Sequence, residues 1–465
     1  MVGPNYHRPS APVAASYKEL DGWTIAQPED GISRGAWWSI YHDPLLDSLE
    51  RQVNINNQTV KEFEATYRNS VALVREAQSN LYPTLGLDVS VTRFNSQSSS
   101  RGFSTSSTGG RVSRSPTQYV LEGTADWVPD VWGKIRREVE SQTAAAQVSA
   151  ADLANAELSA QATLATDYFN LRAQDSLQLL LQQTAAAFQR ARQITQNQYR
   201  AGTISRADVV TAQAQLQSVV AQLAGVGVLR AQFEHAIAML TGRTPDQLSI
   251  PYSPLPQIVP VVPPGIPSTL LERRPDIAAA ERAMQEENAA IGVAVAAYYP
   301  TISLSALAGF SGSPFAQLFN TANRVWSLGA AATQTVFEGG LRPAQVAAAR
   351  AIYDQAVAAY RQTVLGAFQQ VEDELAALRI LQQQAAAEAA AIQAAQRAVT
   401  VALNEYRAGT VAYTTVITQQ ETLLSDQQAA LTVQQNRFVA SVALVEALGG
   451  GWTTIDLPRQ AAIRN

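Results

Sequence analysis

The side chains that most often carry out chemistry are few in this chain and widely separated. Its three histidines are His7, His42 and His235, and it contains no cysteine. A metal site built from thiolates or imidazoles needs several such ligands at short, regular spacing. The sequence therefore predicts no metal site, no disulfide and no bound cofactor.

Acid–base and nucleophilic catalysis find no better support. The acidic run Glu372-Asp373-Glu374 lies in a helical pattern, where a solvated or lumen-facing patch explains it better than a paired acid and base. The chain has neither a Gly-x-Ser-x-Gly elbow nor a phosphate-binding glycine loop. Its net charge is -5 without a basic tract, which argues against nucleic acid as a partner. These features predict a protein without catalytic residues.

The most informative feature is an internal repeat. Tyr199-Arg200-Ala201-Gly202-Thr203 recurs as Tyr406-Arg407-Ala408-Gly409-Thr410, 207 positions later. Tyr82-Pro83-Thr84 recurs as Tyr299-Pro300-Thr301 at an offset of 217, because a Ser/Gly-rich stretch from about Asn95 to Thr117 lengthens the first copy. Self-similarity of this kind indicates one structural unit written twice.

Four runs of alternating apolar and polar residues predict four β-strands, two in each repeat. The first run places Leu85, Leu87, Val89 and Val91 on one face. Similar runs lie at about 119–127, 301–310 and 326–333. Each strand is expected to have one apolar and one polar face.

This alternation has two interpretations. An antiparallel sheet packed on a soluble core produces it, and so does a sheet that crosses a membrane. No uncharged apolar run of about eighteen residues is present, so no transmembrane helix is predicted. Only long helical segments surround these strands in the sequence, and neither another β-pattern nor an amphipathic segment that could cover the sheet lies beside them. This favours the membrane interpretation. Four strands would leave open edges in lipid, so this interpretation requires strands from other subunits.

Very long helices follow the strands in both repeats. Between Gly133 and Tyr199, and again between Gly340 and Tyr406, proline occurs only in the opening turn and Gly366 is the one glycine. Helices of that length reach roughly 100 Å. Small and apolar residues at three- and four-residue spacing predict close packing of neighbouring helices.

Each long helix is predicted to end at the repeated turn, where Gly202 or Gly409 adopts a left-handed conformation. A returning helix begins almost at once, so the chain forms two α-hairpins with tips at one end. We expect Ser205 with Asp208, or Thr203, to cap the first returning helix, and Thr410 or Thr414 to cap the second. In this division, residues 45–242 form the first repeat and residues 268–451 the second.

Three proline-rich segments without periodicity complete the chain. They are residues 1–44, the inter-repeat linker 243–267 and the tail 452–465. Because they flank the repeats, we expect them to form an equatorial layer around the middle of the helical body.

Several separated motifs carry a family resemblance. They are Val2 to Pro9, Trp37-Trp38 followed by Asp43-Pro44-Leu45, Leu270 to Ile277 with Ala280-Glu281, and Ala447 to Trp452. Together they resemble the TolC-like outer-membrane efflux factors, in the lipoprotein branch associated with resistance-nodulation-division (RND) pumps. The resemblance covers nearly the whole chain.

The resemblance implies an α+β membrane protein. Its fold would be a trimeric, twelve-stranded transmembrane β-barrel, four strands per chain, continued by a long periplasmic α-helical barrel with a mixed equatorial region. The function implied is a passive, gated export duct for small molecules in a tripartite efflux system of a Gram-negative outer membrane. The implied partners are a homotrimer, outer-membrane lipid, a periplasmic membrane-fusion adaptor and an inner-membrane RND pump.

Site residues follow from the tips and from this resemblance. The predicted periplasmic gate consists of Tyr406, Arg407, Thr414 and Thr418. The predicted adaptor-contacting tips consist of Gly202, Thr203, Ser205, Gly409 and Thr410.

The chain departs from the family pattern at two places. Relatives often carry an aspartate where Thr418 stands, so charge selection at the closed end is expected to be weaker here. The family's lipid-bearing cysteine is missing at or before Met1. We expect a mature-length chain without its anchor, and a native form that is lipid-anchored.

Two non-enzymatic alternatives remain open at this point. A soluble coiled-coil scaffold would use the long helices for assembly and need no detergent. A pore-forming toxin would be a water-soluble monomer before insertion. Both would contain the same helices and strands.

Overall fold

The computed structural model describes residues 1–11, 13, 16–19, 36–93, 117–262 and 270–464. The strands are β1 (Thr84–Arg93), β2 (Thr117–Trp127), β3 (Thr301–Gly312) and β4 (Arg324–Thr333). The helices are α1 (Pro44–Asn56), α2 (Gln58–Ser79), α3 (Lys134–Arg200), α4 (Arg206–Leu240), α5 (Leu270–Arg273), α6 (Pro275–Ala296), α7 (Leu341–Arg407), α8 (Tyr413–Ala447) and α9 (Gln460–Arg464). Nearly all of the Ser/Gly-rich stretch, part of the N-terminal segment and the end of the 243–267 linker lie outside the described residues.

The four strands form one antiparallel sheet in the order β1-β2-β3-β4. Gly123 lies opposite Leu87 on one side and Ala308 on the other, so the apolar positions of all four strands share one face. That face is bare: Leu85 is 81% exposed on β1 and Leu328 is 77% exposed on β4. A sheet packed on a soluble core would bury these side chains. The strand prediction is confirmed, and the soluble-core interpretation is wrong for the described residues.

Two helices of 67 residues each dominate the rest of the chain, as predicted. At 1.5 Å per residue each extends about 100 Å. Gly133 and Gly340 precede them with φ angles of 86° and 90°, which glycine adopts at little cost. No helix in the described ranges is both long enough and apolar enough to cross a membrane.

The helices pair as two antiparallel hairpins. The first hairpin is α3 with α4, the second is α7 with α8, and α3 and α8 bring the two together. Their shared core lies midway along α3 and towards the end of α8, where the ring of Phe169 stacks on that of Phe438 at 4.6 Å between centroids. Trp37, Leu46 and Tyr168 are fully buried in the same cluster. This apolar cluster holds the two repeats together.

Part of the inter-repeat segment packs on this middle. Asp175, fully buried on α3, accepts hydrogen bonds from Arg172 and Arg230 and from the backbone N–H of Ser253. Gln434 of α8 donates to the carbonyl of Pro256 at 3.2 Å. Residues 250–257 therefore form a strap across α3, α4 and α8.

A second strap comes from the N-terminal segment. The Glu372 carboxylate accepts hydrogen bonds from the backbone N–H groups of Lys18, at 2.6 Å, and Glu19, at 3.0 Å. The Glu19 carboxylate in turn pairs with Arg379. Glu372, the first residue of the acidic run, therefore anchors the strap to α7.

The motif between Leu270 and Ile277 also has a structural role. The Arg274 guanidinium pairs with Asp276 at 2.7 Å and donates to Gln370 of α7 at 2.8 Å and to the carbonyl of Ala447 at 3.0 Å. Gly449 follows, and a Cβ there would lie 2.1 Å from the carbonyl oxygen of Arg273. The start of α6, the middle of α7 and the end of α8 are therefore fastened at one point.

Candidate gate and docking tips

Each α-hairpin turns through the same hydrogen-bond pattern. At the end of α3, Gly202 donates to the carbonyl of Tyr199 at 2.9 Å and Thr203 donates to the carbonyl of Gln198 at 3.0 Å. The Thr203 hydroxyl bonds to that same Gln198 carbonyl at 2.9 Å. With Gly202 at a φ of 77°, this is a Schellman end.

The second tip repeats these contacts. Gly409, with a φ of 75°, donates to the carbonyl of Tyr406 at 3.0 Å. Thr410 bonds to the Glu405 carbonyl through its N–H at 3.0 Å and its hydroxyl at 2.9 Å. Glycine and threonine thus recur because they close the helix end, and both remain exposed at the rim.

The returning helices begin differently in the two repeats. Ser205 caps α4 in a capping box with Asp208, as predicted. The N-cap of α8 is Ala412, which has no side-chain oxygen. The expectation that Thr410 or Thr414 would cap α8 is wrong. Thr203 and Thr410 instead bond to the preceding helix, because the Schellman turn places their hydroxyls beside its last carbonyls.

The two tips are joined by a small contact. The Tyr406 hydroxyl donates to the side-chain carbonyl oxygen (Oε1) of Gln198 at 2.7 Å, which links α7 to α3. The ring of Tyr406 lies 5.2 Å from that of Tyr413, which is 5% exposed. Tyr413 belongs to an apolar cluster with Ala212, Ala402, Val416 and Ile417. We call this set, together with Tyr406 and Gln198, the tip joint.

The tip joint is held by neutral groups. Burial raises the pKa of the Tyr413 hydroxyl to about 12, with Tyr406 and Asp208 adding to the effect. Burial, and then the charge of Asp208, also raises the pKa of Tyr406. Both hydroxyls therefore stay protonated at neutral pH, and Tyr406 keeps its donor role.

The other predicted gate residues lie outside the tip joint. Arg407, Thr414 and Thr418 are exposed. The Thr418 hydroxyl bonds to the carbonyl of Thr414 at 3.1 Å, and Thr422 bonds to Thr418 at 2.9 Å. Residues four apart share a helix face, so α8 presents a threonine stripe near its start. The structure brings Tyr406 to the joint and places Thr414 and Thr418 on this neutral stripe.

Of the tip joint, sequence reasoning predicted only Tyr406, and it missed the polar partner Gln198, the buried Tyr413 and the apolar residues around them. Gln198 immediately precedes the repeated Tyr-Arg-Ala-Gly-Thr motif, and its counterpart in the second copy is Glu405. This difference between Gln198 and Glu405 was the available signal. A position that differs between two otherwise matching copies can make a contact that only one copy needs. Tyr413 carried no signal beyond its position in the first turn of α8.

Comparison with known proteins agrees with this architecture. The profile of the outer membrane efflux protein family matches residues 49–243 and 266–450. The chain belongs to this family. Its fold is that of the TolC-like outer-membrane channels, and it is an outer-membrane component of efflux rather than an enzyme.

Individual relatives span nearly the full chain. The toluene efflux pump outer membrane protein TtgC of Pseudomonas putida is 28% identical over 452 residues, which cover 97% of this chain and 92% of that protein. Outer membrane protein OprJ of Pseudomonas aeruginosa is 29% identical over 455 residues, covering 97% and 93%. Among solved structures, the outer-membrane channel OprN superposes with a TM-score of 0.88 at 29% identity, covering 97% and 99%.

Replacing Gly409 by alanine tests the tip geometry. The site has open space around it, so the cost is the left-handed backbone alone, about 1 kcal/mol. The free energy of local opening at the second tip, measured by amide hydrogen exchange, should therefore fall by about 1 kcal/mol. Gly366, in the middle of α7 with no neighbour within 4 Å, is the matched control. Gly366→Ala should raise the free energy of local opening around residue 366 by about 0.5–1 kcal/mol. Unchanged protection at the tip in Gly409→Ala would contradict the left-handed turn.

Proposed function

We propose that three copies of this chain form a passive, gated duct that carries small molecules out across the periplasm and the outer membrane. The observation that carries the proposal is the bare apolar face of a four-stranded sheet whose edge strands, β1 and β4, lack partners within the described chain. In lipid, backbone groups must be hydrogen-bonded, so such a sheet needs further copies to close it. The opposite, polar face would then line the lumen.

The long hairpins continue this duct into the periplasm. Polar glutamine and threonine side chains are exposed along α7 and α8, as a water-filled tunnel requires. Export through it needs no chemistry from the chain. Pumping would be supplied by an inner-membrane RND pump, to which the tips are coupled by a periplasmic adaptor.

The exposed tips are the adaptor-docking surface in this proposal. Gly202, Thr203, Gly409 and Thr410 lie exposed at the hairpin ends, and Ser205 begins the returning helix beside them. The two Schellman turns give both hairpin ends the same backbone shape, so a partner would meet the same local geometry at each.

The gate is assigned to the tip joint and to the threonine stripe of α8. Closing requires the second hairpin to stay against the first, and Tyr406 donating to Gln198 supplies a directional contact between them. Thr414 and Thr418 would form neutral rings at the narrow end, with Arg407 at the rim. An adaptor opens the duct only if it binds the dilated state more tightly.

A lipid anchor near Met1 fits the same picture. The N–H of Val2 donates to the carbonyl of Trp132 at 3.1 Å, just before α3 begins. Trp132 follows β2 by a short connection, so the first residues lie close to the membrane-facing end of the helices. An acyl chain attached there would reach the outer membrane.

Particle shape and conductance test the duct. Detergent-purified protein should appear as a threefold cylinder longer than about 100 Å, since α3 and α7 alone reach that length. In planar bilayers the same particles should conduct ions. A photocrosslinker at Ser205 should capture a periplasmic adaptor in cells, while one at Ile352, far from the tips, should not.

A detergent-free folded monomer or oligomer without conductance would instead support the soluble scaffold. A water-soluble monomer that inserts spontaneously into vesicles would support the toxin. Either outcome would overturn the proposed duct.

Removing the Tyr406 hydroxyl tests the gate. Tyr406→Phe deletes the bond to Gln198, worth about 1 kcal/mol, so the open state should become about fivefold more populated per subunit. Single-channel recordings should show a higher open probability. Tyr199→Phe is the matched control, because Tyr199 is the repeat counterpart and is 45% exposed. Equal open probabilities for the two variants would remove Tyr406 from the gate.

Charge at Thr418 tests the narrow end. Thr418→Asp would place three carboxylates around the constriction and should shift permeability towards cations. Thr418→Asn has a similar size without charge and should leave the reversal potential in a salt gradient unchanged. If both variants behave like the parent, Thr418 does not line the constriction.

A further inference from the structure

The two repeats meet within one chain at the boundary between β2 and β3. Where the chain leaves β2, Trp132 stacks on Tyr299 with 4.9 Å between ring centroids and an interplanar angle of 24°. The Trp132 indole also donates to the carbonyl of Pro300 at 2.8 Å. Trp132, which follows β2, thus packs on the Tyr-Pro-Thr motif at the start of β3.

The repeat equivalence extends to individual hydrogen bonds at the strand ends. In the first copy the Trp127 indole donates to the carbonyl of Leu81 at 3.0 Å. In the second copy Gln334 donates to the carbonyl of Tyr298 at 3.1 Å. Positions 127 and 334 differ by 207 and positions 81 and 298 by 217, the same offsets as in the sequence. The end of β2 beside the start of β1, and the end of β4 beside the start of β3, therefore make equivalent hydrogen bonds.

The aromatic contact between Trp132 and Tyr299 has no counterpart at the two edge strands of the described chain. Tyr82, the counterpart of Tyr299, is 70% exposed at the start of edge strand β1. Phe337, four residues beyond the end of edge strand β4, is 87% exposed. Within the described part of the chain, neither aromatic residue has a stacking partner of the kind that Trp132 and Tyr299 provide for each other.

The strand directions place these two residues beside each other in neighbouring copies. The sheet is an antiparallel meander, so β4 runs towards the helices and β1 runs away from them. If β4 of one copy pairs with β1 of the next, residues after Thr333 lie beside residues before Thr84. Repeat symmetry also fixes the register: Gly123 is opposite Ala308, and their counterparts are Ala330 and Val91.

We propose that neighbouring copies join as β2 joins β3 within one chain, with Ala330 opposite Val91 of the neighbouring copy and Phe337 packed on its Tyr82. This inference rests on the proposed trimer and adds its contact residues. The register pairs apolar with apolar positions, because Ala330 and Val91 both lie on the apolar face of the sheet. The apolar face then continues without interruption across the subunit boundary. Phe337 takes the place of Trp132, since position 339, the direct counterpart of 132, is glycine.

Cysteine pairs test the register on a background that contains no native cysteine. Directly opposite residues of an antiparallel pair have Cβ atoms about 4.5–5.5 Å apart, near the range that a disulfide spans. Oxidation of Ala330→Cys/Val91→Cys protein in outer membranes should give covalent dimers and trimers on non-reducing gels. Ala330→Cys/Leu87→Cys shifts one cysteine by four residues, about 13 Å, and should give none.

The internal pair Gly123→Cys/Ala308→Cys is the positive control. Under the same oxidant it should lose two hydrogens and form an intrachain disulfide, detected as loss of maleimide labelling without formation of covalent dimers or trimers. For the aromatic contact, Tyr82→Cys/Phe337→Cys should be joined between copies by a short bismaleimide, and either single variant should not.

The outcomes separate the contact from the assembly. Threefold particles that cross-link through the shifted pair, or that fail to cross-link while the internal pair reacts, would overturn the proposed register and leave the trimer standing. A chain that is monomeric in detergent and in outer membranes would overturn the trimer itself.

Discussion

The backbone of an edge strand in lipid must find hydrogen-bond partners, and this requirement governs the whole molecule. Each unpaired N–H or C=O in the hydrocarbon region costs several kcal/mol, and water is not available to satisfy it. The sheet exposes two edges, at β1 and β4, together with a bare apolar face. Such a surface is unfavourable for a lone chain in water or in lipid, and it becomes favourable when copies close a ring.

The helical part distributes its stability unevenly along its length. Midway along the hairpins, aromatic packing, the buried Asp175 network and the Arg274 contacts fasten both repeats and both straps. At the tips the two hairpins share a small apolar cluster and the hydrogen bond from Tyr406 to Gln198. A body that is firmly held in the middle and lightly held at its end allows movement where a gate would need it, without loss of the assembly.

The two repeats are alike where the backbone demands it and different where contacts between them are made. Gly202 and Gly409, with Thr203 and Thr410, close both tips in the same way because a helix end imposes the same geometry on each. Asp175, whose counterpart in the second copy is Gln382, holds the inter-repeat strap. Glu372, whose counterpart in the first copy is Ala165, holds the N-terminal strap. Duplication thus supplied two equal scaffolds, and later divergence fitted each to its neighbours.

The sequence by itself determined the local structure: the period of two in the strands, the proline-free helices, and the left-handed glycines that end them. These features depend on neighbours within a few residues, so pattern and repeat suffice to predict them. Only the tertiary structure decided that Glu372 anchors a strap 353 residues away in the chain and that Ala412, without a capping side chain, begins α8. It also decided that Gln198 receives the Tyr406 hydroxyl. Such contacts join residues that are distant in sequence, and their partners are fixed by how the hairpins pack, which no local pattern specifies.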